Sequence, residues 1–210
     1  MIQHGCAAQF SIARFSEQFM FVSRDNRGQA IIGAVQGYGF TRLSTHAVEQ
    51  SLMNQVVSDA VAYTYQLEGH EFYVVTFPSI NLTWVYDLST GSWHKWLSFD
   101  SVNGYSRHRS NCGAFFNNVY IVGDYANGKI YQVDNANYTE DGAQIRRLRR
   151  APHLVTDLQR QYFAEMQIQF QPGVGLQTGQ GQDPQAMLRW SNDGGSTWSN
   201  EHWKIGRAHV

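Results

Sequence analysis

The residues best able to do chemistry in this 210-residue sequence are its acids, histidines and arginines. Asp193 is the first candidate, because it lies in the stretch RWSNDGGSTW, between two tryptophans and beside glycine and hydroxyl residues. A carboxylate in such a setting could transfer a proton, bind a sugar or hold a turn. Since Asp, Ser and Thr side chains bond to neighbouring backbone amides and Gly adopts positive φ, the stretch predicts a turn rather than a chemical site.

Residues 191–198 fit the pattern S-x-D-x-G-x-T-W and resemble the Asp box of sialidases and other propellers. The resemblance implies a hairpin brace on the surface, away from any catalytic pocket. The residues assigned to this brace are Ser191, Asp193, Gly195, Thr197 and Trp198. Asp193 is expected to accept turn amides, the Ser191 and Thr197 hydroxyls to bridge the strands, and Trp198 to pack beneath the turn.

The other titratable residues show no spacing typical of a catalytic or metal site. Glu68 and Glu71 flank Gly69-His70 and are interpreted as a hairpin tip rather than an acid–base pair. The histidines have neither H-x-x-x-H spacing nor a cysteine partner. Outside the terminal stretch IGRAHV they are His4, His46, His70, His94, His108, His153 and His202. With no nucleophile elbow, phosphate loop or triad motif, the sequence predicts no catalytic residue, no metal site and no cofactor.

Four arginines form the one dense charge cluster, in the run QIRRLRR: Arg146, Arg147, Arg149 and Arg150. On a strand, Arg147 and Arg149 would face one way and Arg146 and Arg150 the other, so that neither face is simply apolar. Such a strand fits a sheet edge, a subunit contact or a groove that meets phosphate. The net charge is −1, from 16 Lys+Arg and 17 Asp+Glu, which favours an ion-paired interface over DNA contact.

The elements that must position these residues are predicted to be repeated β-hairpins. Six Trp, eleven Tyr, twelve Phe and nineteen Gly suit sheets joined by tight turns. A strand that ends in Asp, followed by a glycine-containing turn, occurs at Asp25, Asp87, Asp124 and Asp193. Phe21, Tyr73 and Tyr120 open corresponding strands, about 52 and about 47 residues apart, which is near the length of a four-stranded propeller blade.

The predicted fold class is therefore all-β, with propeller-like antiparallel blades followed by a truncated second β domain. One short helix is expected near residues 45–57, with Val48, Leu52 and Val56 on one stripe. The predicted domains are residues 1–154, a partial propeller-like domain, and 155–204, the start of a C-terminal β domain. Within the latter we expect a half-buried strand over 162–170, a glycine- and glutamine-rich loop over 171–185 and a hairpin over 186–200.

Both ends of the sequence indicate a fragment. Residues 205–210, IGRAHV, match the translation of a widely used sequencing adapter and are expected to be a non-native tail. Met1 is interpreted as an internal methionine, because the sequence opens within a strand-like pattern. Cys6 and Cys112 match no metal or redox spacing and are expected to be free thiols of a reducing compartment. No signal peptide or membrane span is evident.

Four stretches together resemble the packaged-DNA-stabilisation proteins, or tail hubs, of short-tailed phages. They are GHEFYVVTFPSINLTWVYDLSTGSWHKW, NNVYIVGDYANGKIYQVD, YTEDGAQIRRLRRAPHL and RWSNDGGSTWSNE. Their order and spacing carry the resemblance, which runs from about Gly5 to Lys204. It implies a structural virion protein of the tail, synthesised in the bacterial host cytoplasm, with no enzyme activity.

The resemblance also implies partners. Copies of the chain would form a homo-oligomeric ring below the portal and adaptor, close the head after packaging, retain the DNA and carry the needle and tailspike proteins. Packaged DNA would be met indirectly or through the channel. One alternative is a sialidase-like propeller that binds or hydrolyses glycans, which predicts several Asp boxes and arginines converging on an acidic pocket. A second is a kelch-like cytoplasmic interaction propeller, suggested by VYDLSTGSW.

Overall fold

The computed structural model describes residues 4–100, 102–154 and 186–203, with 159, 162, 164, 165, 167 and 168. Of the strand predicted over residues 162–170, five residues are described and none of them is in a strand, while 163, 166, 169 and 170 lie outside the described residues. The loop predicted over 171–185 and the tail at 205–210 lie wholly outside them. The chain divides into two compact units, Met1–Arg147 and Leu148–Val210.

Three antiparallel meanders, here called the first, second and third blade, make up most of the first unit. The first blade consists of β1 (Ala13–Phe15), β2 (Gln18–Arg24), β3 (Ala30–Gln36) and β4 (Gly39–Arg42). The second consists of β5 (Val61–Leu67), β6 (His70–Phe77), β7 (Leu82–Asp87) and β8 (Ser92–Lys95). The third consists of β11 (Ser110–Phe116), β12 (Val119–Asp124) and β13 (Ile130–Gln132). This architecture confirms the all-β, propeller-like prediction.

Short elements connect the blades. Helix α1 (His46–Leu52) joins the first blade to the second, and the hairpin of β9 (Leu97–Asp100) and β10 (Gly104–Arg107) joins the second to the third. A further hairpin, β14 (Thr139–Glu140) with β15 (Ala143–Gln144), follows the third blade. The second unit contains a hairpin of β16 (Met187–Leu188) with β17 (His202–Trp203).

The helix is shorter than the sequence predicts. It ends at Leu52, because Met53 takes an extended conformation with ψ of 127°, and Asn54 follows in a left-handed conformation with φ of 60°. Val48 and Leu52 are buried as expected, but Val56 is 54% exposed and Val57 fills the core instead. The extension of the helix to residue 57 was therefore wrong.

The second blade is covered on both faces, which is why its strands alternate between two hydrophobic cores. Tyr73 and Val75 of β6 pack in the core shared with the first blade and α1, whereas Val74 packs in the core shared with the third blade. Trp84 and Val85 of β7 divide in the same way. Because successive side chains of a strand point to opposite faces, the second blade packs against the first blade on one face and against the third on the other.

The Asp–Gly turns close the hairpins by local hydrogen bonds. Asp25 Oδ1 accepts from the backbone N–H groups of Arg27 and Gln29 at 2.9 and 2.8 Å, after β2. Asp124 Oδ1 accepts from the Ala126 N–H at 2.6 Å in the equivalent turn of the third blade, after β12. Asp87 has the same role in a different turn, after the third strand of its blade, where Ser89 N–H donates at 2.9 Å.

Candidate functional site

The loop around Asp193 closes the hairpin β16–β17. The Ser199 N–H donates to the Trp190 carbonyl at 2.9 Å, and residues 191–198 form the loop beyond that pair. The Asp193 carboxylate accepts from both the backbone N–H of Thr197, at 2.8 Å, and its hydroxyl, at 2.6 Å. The Ser191 hydroxyl donates to Asp193 at 2.7 Å and accepts from the Gly195 N–H at 2.7 Å. Both hydroxyls therefore act through the carboxylate.

These contacts keep Asp193 ionised and leave it no role as a proton donor. Hydrogen bonds from the Thr197 hydroxyl and N–H, and from Ser191, hold the pKa of Asp193 well below its usual 3.8. Trp198 donates its indole N–H to the Gly195 carbonyl at 3.1 Å and remains 39% exposed. The loop is thus internally satisfied.

Two arginines cover the tryptophan of this loop. The Arg150 guanidinium lies 4.9 Å from the centre of the Trp198 ring, and that of Arg189 lies 5.7 Å from it. Arg150 also donates to the Gly194 carbonyl at 3.4 Å. Position 195 has a φ of 96°, which favours glycine, and the end of the Arg150 side chain fills the space where a Cβ atom would lie.

The arginine run does not lie on a strand, in contrast to the expectation from the sequence. β15 ends at Gln144, and residues 145–154 have no strand structure. With four arginines within five residues, neither face of a strand could be buried without burying guanidinium groups. The β14–β15 ladder therefore ends before the arginines begin.

Each arginine of the run is placed by its own neighbours. Arg146 lies over two rings of the β9–β10 hairpin, 5.0 Å from the centre of Phe99 and 5.9 Å from that of Tyr105. Arg147 is exposed and lies 5.4 Å from the ring centre of Tyr138. Arg149 is exposed. Arg150, which belongs to the same unit as the predicted brace, contacts Trp198 and Gly194 there.

A groove opens where the second and third blades diverge. It has a volume of about 810 Å3 and runs between the β5–β6 turn and the β11–β12 hairpin. Its walls include the acids Glu68, Glu71 and Asp134 and the apolar Leu67, Leu88 and Val133. None of the described residues that line it is a lysine or an arginine. The turn itself is the tight hairpin tip expected from the sequence, with Glu68 and Gly69 at φ of 50° and 82°.

A buried relay of polar side chains joins the same two blades, and the sequence analysis missed it. The Tyr63 hydroxyl on β5 lies 2.7 Å from Ser110 Oγ on β11, which lies 2.7 Å from His108 Nδ1. The His108 Nε2 lies 3.6 Å from Glu140 Oε1, which also accepts from the Ser98 hydroxyl at 2.8 Å. His108 and Ser110 are close in sequence, but Tyr63 is 47 positions from Ser110, so no local pattern could reveal the relay.

The relay has the residue types of a hydrolase triad without its geometry. Ser110 is 2% exposed, so its hydroxyl has no path to a substrate. Burial lowers the pKa of His108 below its usual 6.5, and the carboxylates of Glu140 and Asp124 oppose this only in part. A neutral imidazole can accept from the Ser110 N–H and hydroxyl, so the relay ties two blades together.

Metal-binding and membrane-spanning features are not found in the part of the chain that the structure describes. No three His, Cys, Asp or Glu side chains there converge on a place that could hold a metal ion. No helix there combines the length and the apolar character that a membrane span requires. Cys6 and Cys112 are free thiols.

Comparison with known proteins supplies the family. No curated protein matches the sequence. Residues 1–138, about two thirds of the chain and all three blades, match the family described as bacteriophage P22 Gp10, beta-propeller. This is the family of phage packaged-DNA stabilisation proteins that the four sequence stretches resemble. The chain belongs to the bacteriophage P22 Gp10 β-propeller family.

Proposed function

We propose that this chain is part of the tail hub of a short-tailed phage. Copies of it assemble as a ring below the portal and adaptor, close the head after packaging, retain the DNA and dock the needle and tailspike proteins. The observation that carries this proposal is the family match over residues 1–138, which includes every strand of the three blades. The proposed location is the tail of the virion.

The packing of the first unit suits a part that must withstand the pressure of packaged DNA without a chemical cycle. Hydrogen bonds tie the first blade to the second: the Tyr73 hydroxyl donates to the Ser11 carbonyl at 2.7 Å, and the Ser16 N–H donates to Glu71 at 2.6 Å. On the other side, the ring of Tyr65 lies 6.1 Å from that of Tyr120 in the third blade. Such cross-blade contacts resist shear between sheets.

The net charge of the chain fits a protein that forms a channel or collar better than one that binds DNA directly. Proteins that hold DNA directly do so mainly through lysines and arginines that neutralise phosphates. This chain has a net charge of −1, and a strongly basic lumen would slow the release of DNA. The groove between the second and third blades has acids but no arginine, so it lacks the arginine-lined pocket that a sialidase-like propeller needs.

Reconstitution tests the proposal. The protein that contains this chain would be co-expressed with the portal and adaptor proteins of the same phage and the product imaged by electron cryomicroscopy. We expect a ring of density below the adaptor that is absent when this protein is omitted, and we expect particles without it to release their DNA to nuclease. A persistently monomeric protein that hydrolyses glycans would overturn the proposal.

A further inference from the structure

The groove between the second and third blades combines an apolar lining with an acidic rim. Leu67, Leu88 and Val133 are half-buried along it, and Phe115 beside them is 60% exposed. Its volume of about 810 Å3 is that of a site able to enclose several side chains.

The acids of the rim differ in their availability. Glu71 accepts from the Ser16 N–H at 2.6 Å and is thereby used within the protein. Glu68 and Asp134 are exposed residues of its lining, and Asp134 Oδ1 also accepts from the Ala136 N–H at 2.9 Å. Because the described lining has acids but no lysine or arginine, its chemistry fits a segment in which cationic and aliphatic side chains alternate.

This protein itself carries such a segment. Residues 145–150, IRRLRR, are outside any strand, and Ile145 and Leu148 are exposed between the arginines. Arginine suits an acidic rim, because its planar guanidinium binds carboxylates through two parallel hydrogen bonds while its stem covers apolar surface.

The segment leaves a hairpin that is firmly attached to the third blade. Asp141, in the β14–β15 turn, accepts from Lys129 Nζ at 2.7 Å and from the Tyr131 hydroxyl at 2.8 Å. Arg109 pairs with the same carboxylate at 3.0 Å. These bonds, of which the one from Lys129 has the largest effect, lower the pKa of Asp141 to about 2. Asp141 therefore stays ionised, and keeps these partners, at every physiological pH.

Within the first unit of one copy, the two arginines at the start of this segment lie against rings away from the groove. Arg146 lies over Phe99 and Tyr105, and Arg147 lies over Tyr138. None of these three aromatic residues lines the groove. The occupant that fits is therefore the same segment of another copy.

We propose that the groove between the second and third blades of one copy binds residues 145–150 of the next copy. The contact joins two different surfaces, so its repetition generates a ring when the rotation between copies closes. This inference rests on the ring assembly proposed above and names the surfaces that form it.

Charge reversal on each side tests the contact. Glu68→Arg and Arg147→Glu would each be made in the protein that contains this chain, and ring formation on portal–adaptor complexes would be followed by sedimentation velocity. Each single variant is expected to require about tenfold more protein for ring formation, because a paired charge becomes a repulsive one. The variant carrying both changes is expected to regain most of the loss.

Matched controls separate this contact from a general effect of charge. Glu17→Arg and Arg27→Glu reverse exposed charges on the turns of the first blade and are expected to assemble like the wild type. The groove contact is wrong if Glu68→Arg assembles like the wild type. It is also wrong if adding Arg147→Glu to Glu68→Arg does not restore ring formation. In either case the tail-hub proposal stands. If the wild-type protein forms no ring, both proposals fall.

Discussion

Asp87 and Asp193 are carboxylates that their own turns keep ionised. Burial favours the neutral form of Asp87, but hydrogen bonds from His70, the Thr90 hydroxyl and the Ser89 N–H outweigh it and lower its pKa below 3.8. Asp193 is held in the same way by Thr197. An acid that accepts several hydrogen bonds in its ionised form is a poor general acid, so these side chains stabilise turns.

His108 makes the stability of the first unit depend on pH. Since burial lowers its pKa below 6.5, the unfolded chain takes up a proton before the folded protein does. The free energy of unfolding is therefore unaffected by His108 above pH 6.5 and falls as the pH drops from 6.5 through the folded-state pKa. We expect the wild-type Tm to decrease as the pH is lowered from about 6.5 to about 5.5.

The variant His108→Asn checks this assignment, because an Asn carbonyl can still accept from Ser110 but does not titrate. Its Tm is expected to change less over the same range. His94→Asn, at an exposed position on β8, is the control and should keep the wild-type slope. A full wild-type decrease in His108→Asn would contradict the assignment.

What the sequence could predict at this scale depends on distance along the chain. Asp25, Asp124 and Asp193 bond within four positions, so their residue types alone identified them as turn residues. The relay of Tyr63, Ser110 and Glu140 depends on strands brought together by folding. Such a site leaves no local pattern, and the groove was missed for the same reason.

At the scale of elements, alternation along the strands was the most informative signal. Phe21, Tyr73 and Tyr120, the aromatic residues used to measure the repeat, all lie on the second strand of their blades. The helix and the arginine run were harder to predict. The helix ends early because Met53 is extended, and the β14–β15 ladder ends before the dense charges of the arginine run. Both outcomes depend on which residues a neighbouring sheet can bury.

The contact between β5 of the second blade and β11 of the third blade depends on one glycine. A Cβ at Gly113 of β11 would lie 2.6 Å from Tyr63 Cδ2. Tyr63 cannot move aside, because it is buried and its hydroxyl is bonded to Ser110. Gly113→Ala is therefore expected to lower the free energy of unfolding by about 1–3 kcal/mol in urea denaturation.

Gly39→Ala is the matched control for this substitution. Its Cβ would have its nearest neighbour, the Gln36 carbonyl oxygen, at 3.7 Å, which is an ordinary contact. The control is expected to leave the urea midpoint nearly unchanged. Equal midpoints for the two variants would show that the third blade does not pack against Tyr63 as described.

At the scale of the whole molecule, the described blades differ in how completely they are covered. The second blade contributes to two cores, one with each neighbour. The third blade buries one face against the second, while Phe116 and Ile130 are 68% and 70% exposed. A family of propellers in a virion assembly can use such partly covered sheets to meet other subunits.

This difference predicts a gradient of local stability in the isolated protein. Backbone amides of β6 and β7 can exchange only when sheets on both sides separate, whereas those of β12 and β13 need the loss of one contact. We expect hydrogen exchange measured by mass spectrometry to be slowest in the second blade and clearly faster in the third. Assembly on the portal and adaptor should slow exchange mainly in the third blade, because that sheet has surface left to cover. Equal protection of both blades in the isolated protein would show that they unfold as one unit and would contradict this gradient.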